Sequence, residues 1–174
     1  MKIAQSYSHL NGKEFLLVRH KGIFKEINSV IKSINANNYK TKTSKEARKK
    51  GRSLYSPKAL NKAFEDKFRL LQWYGNRYNY YITQNRQLML ESIRMPFKEQ
   101  RDFLFNNGEK NPISSYNQTD FVKNKIAIEV QFGKYSFVAY DLFVKHMMFY
   151  SGELIDVGIE ILPTKKMQEK CLQE

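Results

Sequence analysis

Asp120, Glu129 and Gln131 are the residues of this chain whose types and spacing could do chemistry. Glu129 and Gln131 stand two apart in the apolar run Ile126-Ala127-Ile128-Glu129-Val130-Gln131-Phe132, which reads as a β-strand. A strand turns alternate side chains to one face, so these two project together while Ile126, Ile128 and Val130 face the other way. A hairpin turning at the polar pair Lys123-Asn124 would bring Asp120 back beside them. Two carboxylates with a backbone carbonyl nearby are hard oxygen ligands suited to Mg²⁺, which completes its shell with water and substrate phosphate. An ion so held could activate water and neutralise charge on a phosphodiester. The spacing alone carries little information, because acids and amides are common in hairpins. The apolar setting adds weight, since a carboxylate on a buried strand requires a reason.

Placing these residues calls for an α/β core. Thr119–Val122 and Lys125–Phe132 read as paired strands. Phe137, Tyr140, Val144, Met147 and Met148 mark a helix over 136–150 that stops near Gly152. Ile155, Val157, Ile159 and Ile161 then alternate with polar residues in a strand reaching Leu162, before Pro163. Ahead of this core the pattern is mainly helical. Ile23, Phe24, Ile27, Val30, Ile31 and Ile34 form one face of a helix over 21–34, and Ser56-Pro57 is an N-cap and first-turn proline for a helix running to Trp73. Residues 78–82 are β-prone, 85–93 and 97–105 read as helices, and 2–7 as a short strand. The fold class predicted is α/β (α+β mixed), a mixed sheet flanked by helices, in one domain over 1–174. Its parts are a basic helical region 1–110, a catalytic core 111–163 and a tail 164–174.

Composition narrows the function classes. With 41% apolar and 27% charged residues, 8 Gly and 4 Pro, the chain should fold rather than stay disordered. Cys171 is the only cysteine, so no intramolecular disulfide can form, and three histidines without cysteine partners do not make a zinc-finger site. No apolar stretch approaches a membrane span and no secretory leader is apparent, so a cytoplasmic protein is expected. The charge is the informative quantity: 30 Lys+Arg against 17 Asp+Glu give +13, with a pI near 9.7. Residues 1–110 hold 23 Lys+Arg against 9 acids, +14, and residues 111–174 hold 7 against 8, −1. The densest run, Lys40 to Arg52, includes Lys45, Arg48, Lys49 and Lys50. It reads as a flexible arm for phosphate contact on a nucleic acid.

The blocks Tyr7-Ser8-His9-Leu10-Asn11-Gly12, Leu54-Tyr55-Ser56-Pro57, Ser115 to Lys123, Glu129 to Phe137 and Ile155 to Pro163 together make the chain recognisable over nearly its whole length. It resembles the BglII/BstYI-type restriction endonucleases of the PD-(D/E)xK superfamily, nearer to the BstYI side, with Gln131 where most of the superfamily has Lys. The resemblance implies a homodimeric type II endonuclease that cuts double-stranded DNA at a palindromic, GATC-centred (RGATCY-like) site. It also implies Mg²⁺, with Mn²⁺ as a substitute, a cognate DNA methyltransferase, and a prokaryotic cytoplasm. By the same resemblance Asp120 and the backbone carbonyl of Val130 bind the metal, Glu129 holds the metal or its water, Gln131 orients the attacking water, and Lys134 reaches base edges in the major groove. Members of this type carry a further recognition loop and strand beyond the position of Glu174, so the tail is expected to be shorter than theirs.

A second class fits part of the sequence. Trp73, Tyr74, Tyr78, Tyr80 and Tyr81 could stack on unpaired bases in a non-catalytic nucleic-acid-binding module. Asp120 and Glu129 speak against it, because carboxylates repel phosphates unless a metal intervenes. A helical protein-interaction module would account for neither the basic first part nor the acids.

Overall fold

The strand Ile126–Val130 has all five residues buried, and a strand buried on both faces needs a covering layer on each side. A computed structural model describes residues 1–44 and 50–171. In chain order its elements are α1 (Gly12–Arg19), α2 (Lys21–Ser33), β1 (Lys42–Thr43), β2 (Ser53–Leu54), α3 (Pro57–Leu70), β3 (Tyr74–Ile82), α4 (Arg86–Ser92), α5 (Phe97–Asn106), β4 (Ile113–Lys123), β5 (Ile126–Val130), an irregular helix over 135–151, β6 (Val157–Ile161) and a last helical turn, Lys165–Gln168. β1 pairs antiparallel with β2. The four longer strands form one sheet in the order β3-β4-β5-β6, antiparallel except for the parallel pair β5 and β6. This is the mixed sheet flanked by helices that the sequence predicts.

Alternation sorts the side chains of β5. Ile126, Ile128 and Val130 join Ile23, Ile27 and Val30 of α2 and Leu60, Phe64 and Phe68 of α3 in one core. Ala127 turns to the opposite face and packs with Phe149 and Ile155, and Glu129 follows it there. α3 begins as read, with the Ser56 hydroxyl accepting from Ala59 N and Pro57 in the first turn. The helical layer is also tied to the sheet by polar contacts. Lys123 Nζ donates to both Glu26 oxygens, at 2.9 and 2.8 Å, and to Leu71 O at 2.9 Å, while Trp73 Nε1 donates to Glu26 Oε2 at 3.0 Å.

Several local readings change. Residues 2–7 form no strand; nearly all are exposed, and no sheet edge pairs with them. α1, with no clean apolar stripe, is a helix that periodicity did not reveal. α3 ends at Leu70 because Gln72 turns to φ 63 and sends Trp73 into the core, fully buried. β3 and β4 extend well beyond 78–82 and 119–122, pairing over most of their length, where polar residues conceal the alternation. The hairpin turn is Asn124-Lys125, one residue later than read: Lys123 pairs with Ile126, and both turn residues have positive φ, 49 and 62. That is the type I′ geometry which matches strand twist. In the tail, Cys171 is 2% exposed and bridges to Tyr55.

β5 and β6 are parallel and need a crossover connection, which is the irregular helix. It opens with a 3-10 turn, Tyr135–Phe137, passes through Val138–Tyr140, becomes π-helical over Asp141–His146, and ends as Met147–Ser151. At about 100° per residue an α-helix would put His146 about 140° away from Asp141. The wider π turn lets Asp141, Lys145 and His146 all be buried against the sheet. Facing His146 on β6 is Gly158, where a Cβ would stand 2.3 Å from His146 Nδ1 and 2.4 Å from Cγ. Gly158→Ala is therefore expected to lower stability by about 1–3 kcal/mol through overpacking, measured by urea denaturation. The Gly158→Ala/His146→Ala double variant should recover part of the loss, and strictly additive losses would show that the two positions do not press on each other.

Candidate active site

The register of β4 on β5 pairs Phe121 with Ile128, which sets Asp120 across from Glu129. The two acids are locked through the backbone: Asp120 N donates to Glu129 Oε1 at 3.2 Å, and Val130 N donates to Asp120 Oδ2 at 3.1 Å. Just past the end of β5, Gln131 is held by its own N–H, which donates to Ile161 O at 3.1 Å. Asp120, Glu129, Val130, Gln131 and Lys134 meet around one pocket of about 300 Å³. Asn61 of α3 and Phe137, Asp141 and Lys145 of the irregular helix complete its lining.

These last four were not among the sequence candidates, and neither was Glu160. A lysine and an acid four apart on one helix were the available signal for Lys145 and Asp141, but such pairs are usually solvated. Here Lys145 Nζ lies 2.9 Å from Glu129 Oε1 and 2.7 Å from Asp141 Oδ1, with all three side chains nine-tenths or more buried. Of the basic run, Lys45, Arg48 and Lys49 lie outside the described residues, and Lys50 is exposed in a turn before β2. Of the described residues of the run Lys40 to Arg52, Lys42–Thr43 pairs with Ser53–Leu54 just beyond it.

Burial dominates the electrostatics of this face. It pushes Glu129 up to about 8, helped by the Asp120 carboxylate and opposed by Lys145. Burial works against the Lys145 ammonium too, but Asp141 and Glu129 outweigh it and Lys145 is raised above the ordinary lysine value. Glu160, which pairs with Glu129 across the parallel strands, is pushed up to about 8 by burial and by Asp141 and Glu129. His146 is pushed down to about 4 by burial and by Lys145. Its Nδ1 lies 3.8 Å from Glu160 Oε1, and neither side chain has a hydrogen-bond partner.

The donor set suits a divalent cation. Among the described residues no group of three His, Cys, Asp or Glu is arranged to hold a metal, so an ion here would draw on Asp120, Glu129 and the Val130 carbonyl, with water and phosphate for the remainder. That is the mixed shell Mg²⁺ accepts. A cation held here would relieve the carboxyl of Glu129, which burial and its acidic neighbour raise.

A pH dependence follows from Glu160. Its folded pKa is raised above the unfolded value, so its contribution to stability is full below about pH 4.5 and is lost as pH rises towards about 8. Glu160→Gln should therefore raise the melting temperature in EDTA at pH 9, and the gain should shrink towards pH 5. A gain equal at both pH values would show that the carboxyl does not ionise in this range.

The family model for restriction endonuclease BglII/BglIII matches residues 4–173. No curated protein matches the chain. The match spans almost the whole sequence, from ahead of α1 to the residues after the last helical turn, and takes in every residue that lines the pocket. On that ground the chain belongs to the BglII/BglIII restriction endonuclease family, site-specific endonucleases that act on double-stranded DNA.

Proposed function

We propose that this protein is a Mg²⁺-dependent type II deoxyribonuclease, nearest in kind to BstYI and of the PD-(D/E)xK type with Gln131 at the usual lysine position. The whole of residues 1–174 would act as one endonuclease domain on a palindromic, GATC-centred (RGATCY-like) site. The observation carrying this reading is that Asp120, Glu129, Gln131 and Lys134 line one pocket in a chain of a restriction endonuclease family. A divalent cation on Asp120, Glu129 and the Val130 carbonyl, Mg²⁺ or Mn²⁺ in its place, would supply Lewis-acid activation and charge neutralisation.

The protein's own groups do the rest. Gln131, with an amide donor and an acceptor, orients the attacking water. The water oxygen bonds to phosphorus as the P–O bond to the leaving deoxyribose oxygen breaks. The proton shed by the water passes to solvent or a phosphate oxygen, and the leaving oxygen takes one up. Lys134, exposed at the pocket rim, reaches base edges, and Lys45, Arg48, Lys49 and Lys50 contact phosphates. A protein that cuts at GATC needs a cognate methyltransferase in the same prokaryotic cytoplasm. No helix of the described residues is long and apolar enough to cross a membrane. The passive single-strand binder loses support, because Trp73 and Tyr80 are buried and Tyr81 is stacked on Phe97, leaving no shared aromatic platform.

A palindrome is read by a two-fold protein, and the irregular helix offers a surface for one. Besides the pocket-lining residues it exposes Phe143, Val144, Met147 and Tyr150, with Phe143 at 63% and Tyr150 at 61%. A patch of this kind would suit an interface. A second copy seated there would set two active sites back to back, one for each DNA strand.

Asp120→Asn and Glu129→Gln are each expected to abolish plasmid cleavage with Mg²⁺ while leaving duplex binding intact or tighter, since each removes metal affinity together with a negative charge near the phosphates. Near-wild-type cutting by either variant would reject the metal assignment. Sedimentation should show a dimer at micromolar concentration, converted to monomer by Phe143→Glu/Met147→Glu. A wild-type monomer both free and on DNA would reject the two-fold arrangement.

A further inference from the structure

Lys145 stands inside the candidate site with a capacity its partners do not use up. An ammonium has three N–H donors. Two are engaged, by Asp141 Oδ1 at 2.7 Å and Glu129 Oε1 at 2.9 Å, and among the described residues no third partner appears. The side chain is 9% exposed and is part of the pocket lining. Charge makes this donor significant. The pocket is lined by three carboxylates, Asp120, Glu129 and Asp141, and two lysines, of which Lys134 is at the exposed rim. Position 131, just past β5, carries a neutral amide. Among the described residues, a phosphodiester entering the interior therefore meets one cation, Lys145, brought there by the π-helical register.

We propose that Lys145 is a catalytic residue, its third N–H donating to a non-bridging oxygen of the scissile phosphate, and that Asp141 is the positioning residue that holds it there. This rests on the nuclease reading above. The lysine has two anchors, so when a cation claims Glu129 the ion pair with Asp141 keeps the ammonium in place. Charge on the non-bridging oxygens is then met by a donor fixed beforehand, and preorganised donors of this kind contribute most where charge is greatest.

The test compares the wild type, Lys145→Met and Asp141→Asn/Lys145→Met in plasmid cleavage with Mg²⁺ and enzyme in excess, and in duplex binding with Ca²⁺. The double variant removes the ammonium and its counterion together, so it decides the matter if the single variant fails to fold. Loss of one preorganised donor should slow cleavage by about 10²–10³-fold. Binding should fall by no more than about tenfold in whichever variant folds. Cleavage by a folded variant within about fivefold of wild type would overturn the role of Lys145 and leave the nuclease reading standing. Equal losses of rate and binding would overturn it as well, since they indicate a structural part only. A wild-type protein that binds duplex and cuts nothing would overturn both readings.

Discussion

Glu129 stands on a strand buried on both faces, where an unpaired carboxylate costs several kcal/mol, and the neighbouring elements are arranged around that fact. Lys145 is delivered to 2.9 Å from it by a helix whose turn widens at Asp141–His146. Asp141 holds the lysine from its own helix, Asp120 faces Glu129 through the β4–β5 register, and Glu160 stands beside it on β6. The pocket that Asp120, Gln131 and Lys134 line opens onto this charged layer. The same residues that would be a liability in a sealed core become a binding site for a cation and a phosphate once the layer is open at one end.

The irregular helix joins two requirements. Its inner side meets the sheet with charge, and its outer side presents Phe143, Met147 and Tyr150 to solvent. In the proposed dimer both sides are in use, so the element that sets the position of Lys145 also sets the distance between the two active sites. Packing at the inner side is strict: Gly158 is the residue that makes room for the His146 ring. His146 in turn occupies, uncharged, the space beside Glu160.

The opposite face of the sheet is ordinary by comparison. α2 and α3 cover Ile126, Ile128 and Val130 with aliphatic and aromatic side chains, and the Lys123–Glu26–Trp73 network closes the edge of that layer. Burial alone would raise the Glu26 carboxyl, but the donors from Lys123 and Trp73 bring it below the usual glutamate value. This layer fixes β5 in place and leaves the chemistry to the other face.

Much of this could be read from the residues in order. The apolar stripe of α2, the Ser56-Pro57 start of α3 and the alternation of β5 and β6 are local patterns, and local patterns carry their geometry with them. The common face of Glu129 and Gln131 is a reading of strand period, and a hairpin returns Asp120 towards them, but the register that sets Asp120 opposite Glu129 depends on the turn falling at Asn124-Lys125. The sequence thereby determined an α/β core with two carboxylates and an amide on one face, behind a strongly basic first part. It could not announce α1, whose side chains mark no face, nor the polar reaches of β3 and β4, which are strands because they pair with each other. Lys145 and Asp141 looked like a solvated pair on a helix, and Glu160 like the polar beat of an alternating strand. Only the tertiary structure decided otherwise, because their burial depends on a π-helical turn and a parallel crossover, and both are set by contacts between segments that do not adjoin in the chain.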